Sequence, residues 1–439
     1  MRYALVVAVA ILAGGCGHNS SAAGDDDDGG NSDGGGGGDD DGGGNQGFAT
    51  VKLTLNHRPA NGAQFSFIVA YRDGAGPWTL SDMPTGDDYS FHIYSPVYSV
   101  MWTCIGASAQ NATIRQVSMM SFAVSDRTSL SADVPPRCAE AAGLVTLHGT
   151  LANGGFTDNY VVRWGDRQAT VANGSYTMQV PPGTHDLVLL EASSISIGDA
   201  QPSGAFVKRN VTVNAATEVD LDANGVEDLQ AFDVSDLDGG TKQSATTTLY
   251  AAGTTAPLAT QTSGSYTVMS LATDQMGAGD IYDLQLSETS GTAMSTRTLA
   301  TATPGELTWT DVPTLGAVAT SVGAAQPYPQ LQSSWPMYAN ATGYTWAITQ
   351  TATSGPGTAT IVWAAQLSPS VLGAAPAFEM PDFSQLGGWN PSLQLVAGKA
   401  VVGGVQAQVS SATGDFPPIT PPPAGTKRTM ASTTFALTP

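Results

Sequence analysis

Few residues in this 439-residue chain sit at spacings that could do chemistry. Asp220-Leu221-Asp222-Ala223-Asn224-Gly225 fits the opening of a D-x-D-x-N-G calcium loop, with Asp228 at its ninth place. Hard oxygen ligands at alternate positions can wrap Ca2+, and the glycine permits the turn. The closing bidentate acid is missing, because Ala231 holds the twelfth place. A solvated junction between domains is the competing reading. His18, His57, His92, His148 and His185 show no H-E-x-x-H or H-x-H spacing. Gly30-Asn31-Ser32-Asp33-Gly34 matches G-x-S-x-G, but lacks the strand and helix that a nucleophile elbow needs. Nothing places a Ser-His-Asp set, so the chain reads as a non-enzyme, with an enzyme of unrecognised site as the last alternative.

Aromatic residues offer a binding chemistry instead, because exposed rings stack on sugar faces or anchor interfaces. Trp335 precedes Pro336, Trp389 follows Gly387-Gly388, and Trp78 ends Gly76-Pro77-Trp78. All three are expected at exposed loop edges. Trp346 and Trp363 lie mid-strand and read as core.

The address is written at the start. Tyr3–Leu12 is an apolar run long enough for an export signal and too short to span a bilayer. Ala13-Gly14-Gly15-Cys16 follows, and small residues before a cysteine resemble the lipobox of bacterial lipoproteins. The resemblance implies cleavage before Cys16, a lipid on its thiol, membrane attachment through that lipid, and a place in the cell envelope at the outer membrane, periplasmic or surface-exposed. In that family Leu usually stands three places before the cysteine, where this chain has Ala13. Ordinary secretion, with a cut after Ser21-Ala22-Ala23, is the other reading. Residues 16–46 carry eight Asp and no Lys or Arg among runs of glycine, and cannot bury a core. They read as a disordered tether.

With Cys16 lipidated, Cys104 and Cys138 remain as a pair. In an oxidising compartment they are expected to join, and the 34-residue separation corresponds to about 3–4 kcal/mol in the chain-entropy model. Two cysteines without a nearby His pair are too few for zinc. Formal charge is −21, Lys plus Arg totals only 16, and no basic cluster forms. That balance excludes nucleic acid and anionic membrane faces as partners. No small-molecule substrate and no cofactor is indicated beyond the Ca2+ reading.

Short alternating runs broken by turn residues predict an all-β chain of tandem Ig-like and transthyretin-like sandwiches behind the tether. Boundaries fall at 47–140, 141–226, 227–323 and 324–439. Ser175-Tyr176-Thr177-Met178-Gln179-Val180-Pro181-Pro182-Gly183, followed by His185-Asp186-Leu187-Val188-Leu189, resembles the carboxypeptidase regulatory-like (transthyretin-like) family. That family implies a structural or adhesive role without catalytic residues. The pattern returns about ninety residues on: Gly264-Ser265-Tyr266-Thr267 repeats Gly174-Ser175-Tyr176-Thr177, and Tyr282-Asp283-Leu284 repeats His185-Asp186-Leu187. Arg297 is read as the echo of Arg209. Asp88-Tyr89-Ser90-Phe91 marks a more diverged copy in the first module. After Trp335, Ala341-Thr342-Gly343-Tyr344-Thr345-Trp346 resembles a fibronectin type III module.

The whole is similar to multi-domain lipoproteins of Gram-negative bacteria. The expected function is display of a binding or adhesive surface, with a polysaccharide or an envelope protein as partner.

Overall fold

The computed structural model describes residues 49–56, 66–82, 86–107, 113–134, 138, 143–155, 159–192, 202–236, 242–261, 266–309, 312–354 and 357–439. The expected export signal, Cys16 and the expected tether lie outside the described residues. The described residues are almost all strand.

The first module contains β1 (Ala49–Asn56), β2 (Val69–Asp73), β3 (Thr79–Leu80), β4 (Asp88–Ile93), β5 (Val97–Ala107), β6 (Thr113–Ala123) and β7 (Ser129–Asp133). Alternation builds each strand: in β4, Tyr89, Phe91 and Ile93 are buried while Asp88, Ser90 and His92 face water. Strand β1 lies between antiparallel β4 and parallel β7. It packs on a second layer ordered β3-β2-β5-β6.

The second module repeats this plan with β8 (Val145–Ala152), β9 (Asn159–Trp164), β10 (Arg167–Thr170), β11 (Ser175–Val180), β12 (Gly183–Ala192), β13 (Pro202–Val213) and β14 (Thr217–Glu218). It adds β15 (Leu221–Asp222) and β16 (Glu227–Asp228). Strand β8 sits between antiparallel β11 and parallel β14, under β10-β9-β12-β13-β16. The third module has β17 (Gln230–Asp236), β18 (Lys242–Ala251), β19 (Thr254–Gln261), β20 (Thr267–Ser270), β21 (Ile281–Ser290), β22 (Ala293–Thr301) and β23 (Leu307–Trp309). Its order, β20-β17-β23 under β19-β18-β21-β22, is the same again. Three consecutive segments thus share one topology. One detail of the repeat is corrected. Leu187 opposes Lys208, and Leu284 opposes Leu299, so Ala300 rather than Arg297 stands where Arg209 does.

The fourth module differs. Strands β24 (Ala319–Ala324), β25 (Gln330–Ser334) and β28 (Ala377–Glu379) make one layer. The other is ordered β27-β26-β29-β30, from β26 (Gly343–Ser354), β27 (Gly357–Leu367), β29 (Val401–Ser410) and β30 (Lys427–Leu437). Before β29 the chain makes a single 3-10 turn at Pro391–Leu393, begun by Asn390, whose side chain accepts from the Ser392 N–H. Proline removes the ladder donor that a strand would need there.

The sandwiches are joined through their larger layers, and not in chain order. Strand β27 pairs in parallel with β6, and β30 pairs antiparallel with β22. A single twelve-stranded sheet therefore runs β19-β18-β21-β22-β30-β29-β26-β27-β6-β5-β2-β3 through the third, fourth and first modules. The first module's small layer covers one face of this sheet; those of the third and fourth cover the other. Strands at the joints are apolar on both sides: Val117 and Met119 of β6 face the fourth module's core, Met120 and Phe122 the first's. The second module docks separately, through Val188, Leu190, Ala205 and Val207 against Leu249, Ala256 and Leu258 of the third.

Residues 324–439 made alone should therefore not behave as a stable monomer, since β27 and β30 would both become bare edges. Light scattering and urea unfolding against residues 47–439 check this. A monodisperse fragment with an unchanged urea midpoint would contradict the shared sheet.

Candidate functional site

The residues nominated for metal do not converge. Strand β15 continues parallel to β8, which sets Asp220 and Asp222 along its rim. Asp220 Oδ1 accepts from the Thr150 N–H at 2.8 Å and the Thr150 hydroxyl at 2.7 Å. Asp222 Oδ1 accepts from Asn153 Nδ2 at 2.8 Å and the Asn224 N–H at 3.0 Å. These bonds hold both carboxyls below the usual range, led by Thr150 for Asp220 and Asn153 for Asp222. Asn224 lies in a 3-10 turn, and Asp228 belongs to β16 of the opposite layer. Among the described residues no group of three or more His, Cys, Asp or Glu is placed to hold a metal. The calcium reading is replaced by side-chain stitching of strand ends.

The nominated tryptophans are also corrected. Trp335 is 5 % exposed and Trp389 9 % exposed, both within the fourth module's core. Trp335 continues the inward alternation of Leu331 and Ser333, and its ring lies 5.8 Å from Tyr344. Gly388 adopts φ +73°, turning the chain so that Trp389 stacks edge-on to Trp363 at 5.9 Å and near Phe383 at 5.1 Å. Trp78 is half-buried, edge-on to Phe383 at 5.0 Å and 5.2 Å from the Arg72 guanidinium. It cements the first module to the fourth. Cys104 and Cys138 are joined by a disulfide inside the first module's core.

The structure brings together a different set. Where the small layers of the third and fourth modules part, the continuous sheet is left as the floor of a cleft of about 830 Å³. Arg297 of β22 and Thr429 of β30 oppose one another on that floor, and Lys427 opposes Leu299. Glu306 and Thr308 border one side, and Met337, Tyr338 and Asn340 the other. Tyr338 is held at both ends: its hydroxyl donates to the Pro313 carbonyl at 2.9 Å, and its N–H donates to the Tyr344 hydroxyl at 2.9 Å. Burial raises the Tyr338 pKa, and the nearby Arg297 charge opposes that rise. Met337 is 55 % exposed at the rim. A signal for the site exists in the sequence: Lys427-Arg428 and Lys208-Arg209 are its only adjacent cations.

Alternation sends each arginine of those pairs inward. Arg428 meets Asp415, Nε to Oδ2 at 2.6 Å and Nη2 to Oδ1 at 2.7 Å. Arg209 reaches Asp186 of its own module at 2.8 Å and both oxygens of Asp280 of the next at 2.7 and 2.8 Å. Burial alone would lower the pKa of each arginine, and the carboxylate bonds outweigh it and leave both raised. Asp283 lies near the Arg428–Asp415 pair; burial raises its pKa, Arg428 pulls it down, and Asp415 pushes it up.

No family model and no curated protein matches the chain. Among solved structures it is similar to a DUF3823 family protein from Bacteroides ovatus ATCC 8483, at 13 % identity and a TM-score of 0.13, covering 36 % of this chain and 90 % of that one. A likeness that low assigns neither fold nor function.

Two measurements test these placements. Trp389→Ala should cost about 3–5 kcal/mol of stability, as for a buried ring, seen in urea unfolding; a loss under about 0.5 kcal/mol, the size of a surface change, would return this ring to the surface. Asp283→Asn tests the raised carboxyl. A pKa higher in the folded state means stability is full below the unfolded value near 3.8 and is lost as pH rises through the folded value. Asp283→Asn should thus melt above wild type at pH 7, by a margin that shrinks toward pH 3. A margin that grows on acidification would refute it.

Proposed function

We propose that this is a lipid-anchored protein of the bacterial cell envelope, displaying four fused β-sandwich modules as a non-catalytic binding surface, with a carbohydrate polymer as ligand. The observation that carries the binding half is the cleft between the third and fourth modules, where cations, hydroxyls and one fixed ring share a rim. The carbohydrate ligand moves here from Trp335 and Trp389, which lie in the core. Strand order supports the domain resemblances. The thrice-repeated seven-strand plan suits carboxypeptidase regulatory-like modules, and the three-plus-four layering of the last suits a fibronectin type III-like one. Among the described residues no helix is long and apolar enough to cross a membrane.

The anchoring half rests on Ala13-Gly14-Gly15-Cys16 and the acidic tether. Two acyl signals hold a protein stably at a membrane, whereas one binds marginally. In a Gram-negative host, wild-type protein should stay with the membrane fraction through a high-salt wash and leave it with detergent. Cys16→Ser should appear in the soluble fraction. Retention of Cys16→Ser in the membrane would end the lipid-anchor reading.

A further inference from the structure

We infer that the cleft floored by β22 and β30 binds a neutral polysaccharide whose rings carry equatorial hydroxyls, as in a polymer of β-linked glucose. This rests on the proposed binding role and names the ligand class.

Charge narrows the choice first. Three cations line the cleft, and two of them are spent: Asp415 holds Arg428 through two bonds, and Arg297 is already engaged within the protein. That leaves one exposed cation, Lys427, and one exposed carboxylate, Glu306. The cleft therefore offers no surplus charge to a polyanion or to a polycation. The chain as a whole carries −21, so an acidic polymer is repelled on approach. A neutral polymer meets no such cost.

The floor also disfavours peptide. An extended peptide gains affinity by adding to an open strand edge. Both floor strands are paired on each side, β22 by β21 and β30, and β30 by β22 and β29, so neither has a ladder to give. What the cleft presents instead is side chains. The hydroxyls of Thr308, Thr314 and Thr429 and the amide of Asn340 each donate and accept, as sugar hydroxyls do. Tyr338, pinned at its hydroxyl and its backbone N–H, offers a half-buried ring with little conformational freedom to lose. Sugars stack on such a ring through a flat face of C–H bonds, which a pyranose has when its hydroxyls are equatorial. The volume of about 830 Å³ lies at the upper end of small-ligand pockets, enough for a short run of rings.

The test uses the whole mature chain, kept in detergent, in affinity electrophoresis through gels containing hydroxyethylcellulose, a neutral mannan or polygalacturonate. Hydroxyethylcellulose should retard the protein, and added salt should leave that retardation unchanged, because no ion pair forms. Tyr338→Ala should weaken it about tenfold, the size of one lost stacking contact. Tyr338→Phe keeps the ring and should lose much less. Thr429→Val combined with Asn340→Gly removes two polar partners and should also cost about tenfold; glycine suits position 340, where φ is +58°. Melting curves close to wild type establish that the variants fold. Retardation by hydroxyethylcellulose that persists unchanged in Tyr338→Ala and in the double variant would overturn the cleft assignment and leave the binding role standing. Retardation by mannan alone, or by polygalacturonate alone and fading with salt, would overturn the ligand class and leave the carbohydrate role standing. No retardation by any polymer would overturn both the site and the carbohydrate role.

Discussion

A strand edge presents a row of backbone donors and acceptors that must be paired, wetted or covered. Most sandwich modules leave such edges to solvent. In this protein the outer edges of the fourth module are both consumed, β27 by β6 and β30 by β22. Those two ladders determine the rest. They fix which faces of the first and third modules can be apolar, and they align the small layers so that a cleft remains above β22 and β30. They also bring an inter-strand loop of the fourth module, residues 411–426, within reach of both neighbours: Phe416 lies 6.2 Å from Phe122, and the Gly425 N–H donates to the Ala300 carbonyl at 2.8 Å.

Ionic contacts reinforce the joints in a patterned way. Arg209 bridges carboxylates of the second and third modules, and Arg428 holds Asp415 within the loop that spans the sheet. Buried ion pairs add little net stability over apolar packing, but losing one partner leaves an uncompensated charge. They therefore specify one docking geometry more than they strengthen it. Gly253 serves the same end by removal of bulk: a Cβ there would meet the His185 ring at 2.0 Å, and the Thr254 hydroxyl beside it donates to the Asp186 carbonyl.

The all-β class was legible, because period-two alternation in stretches such as Asp88–Ile93 and Ser175–Val180 is a local property. The joints were legible only by contrast. Leu187-Val188-Leu189-Leu190 is apolar on both faces, whereas its repeat, Leu284-Gln285-Leu286-Ser287, alternates; Val188 and Leu190 of the first strand join the apolar cluster of the third module. The tryptophans misled because proline and glycine neighbours suggest a loop edge, and loops here fold back over the core. Arg297 was noticed for the wrong reason, since counting along the sequence could not reveal that the hairpins run in a shifted register. The cleft depends on strands more than a hundred residues apart, Arg297 and Lys427, and no local pattern joins them.

Spatial order and chain order disagree, and this bears on how the protein is made. The segment that bridges the first and third modules is the one synthesised after them. Until it emerges, β6 and β22 remain open templates for any passing strand. Cells meet such a hazard by keeping the nascent chain unfolded or escorted until it is whole. Assembly is thereby coupled to completion: a ribosome that stops early releases no smaller working version, only a sticky product suited to proteolysis.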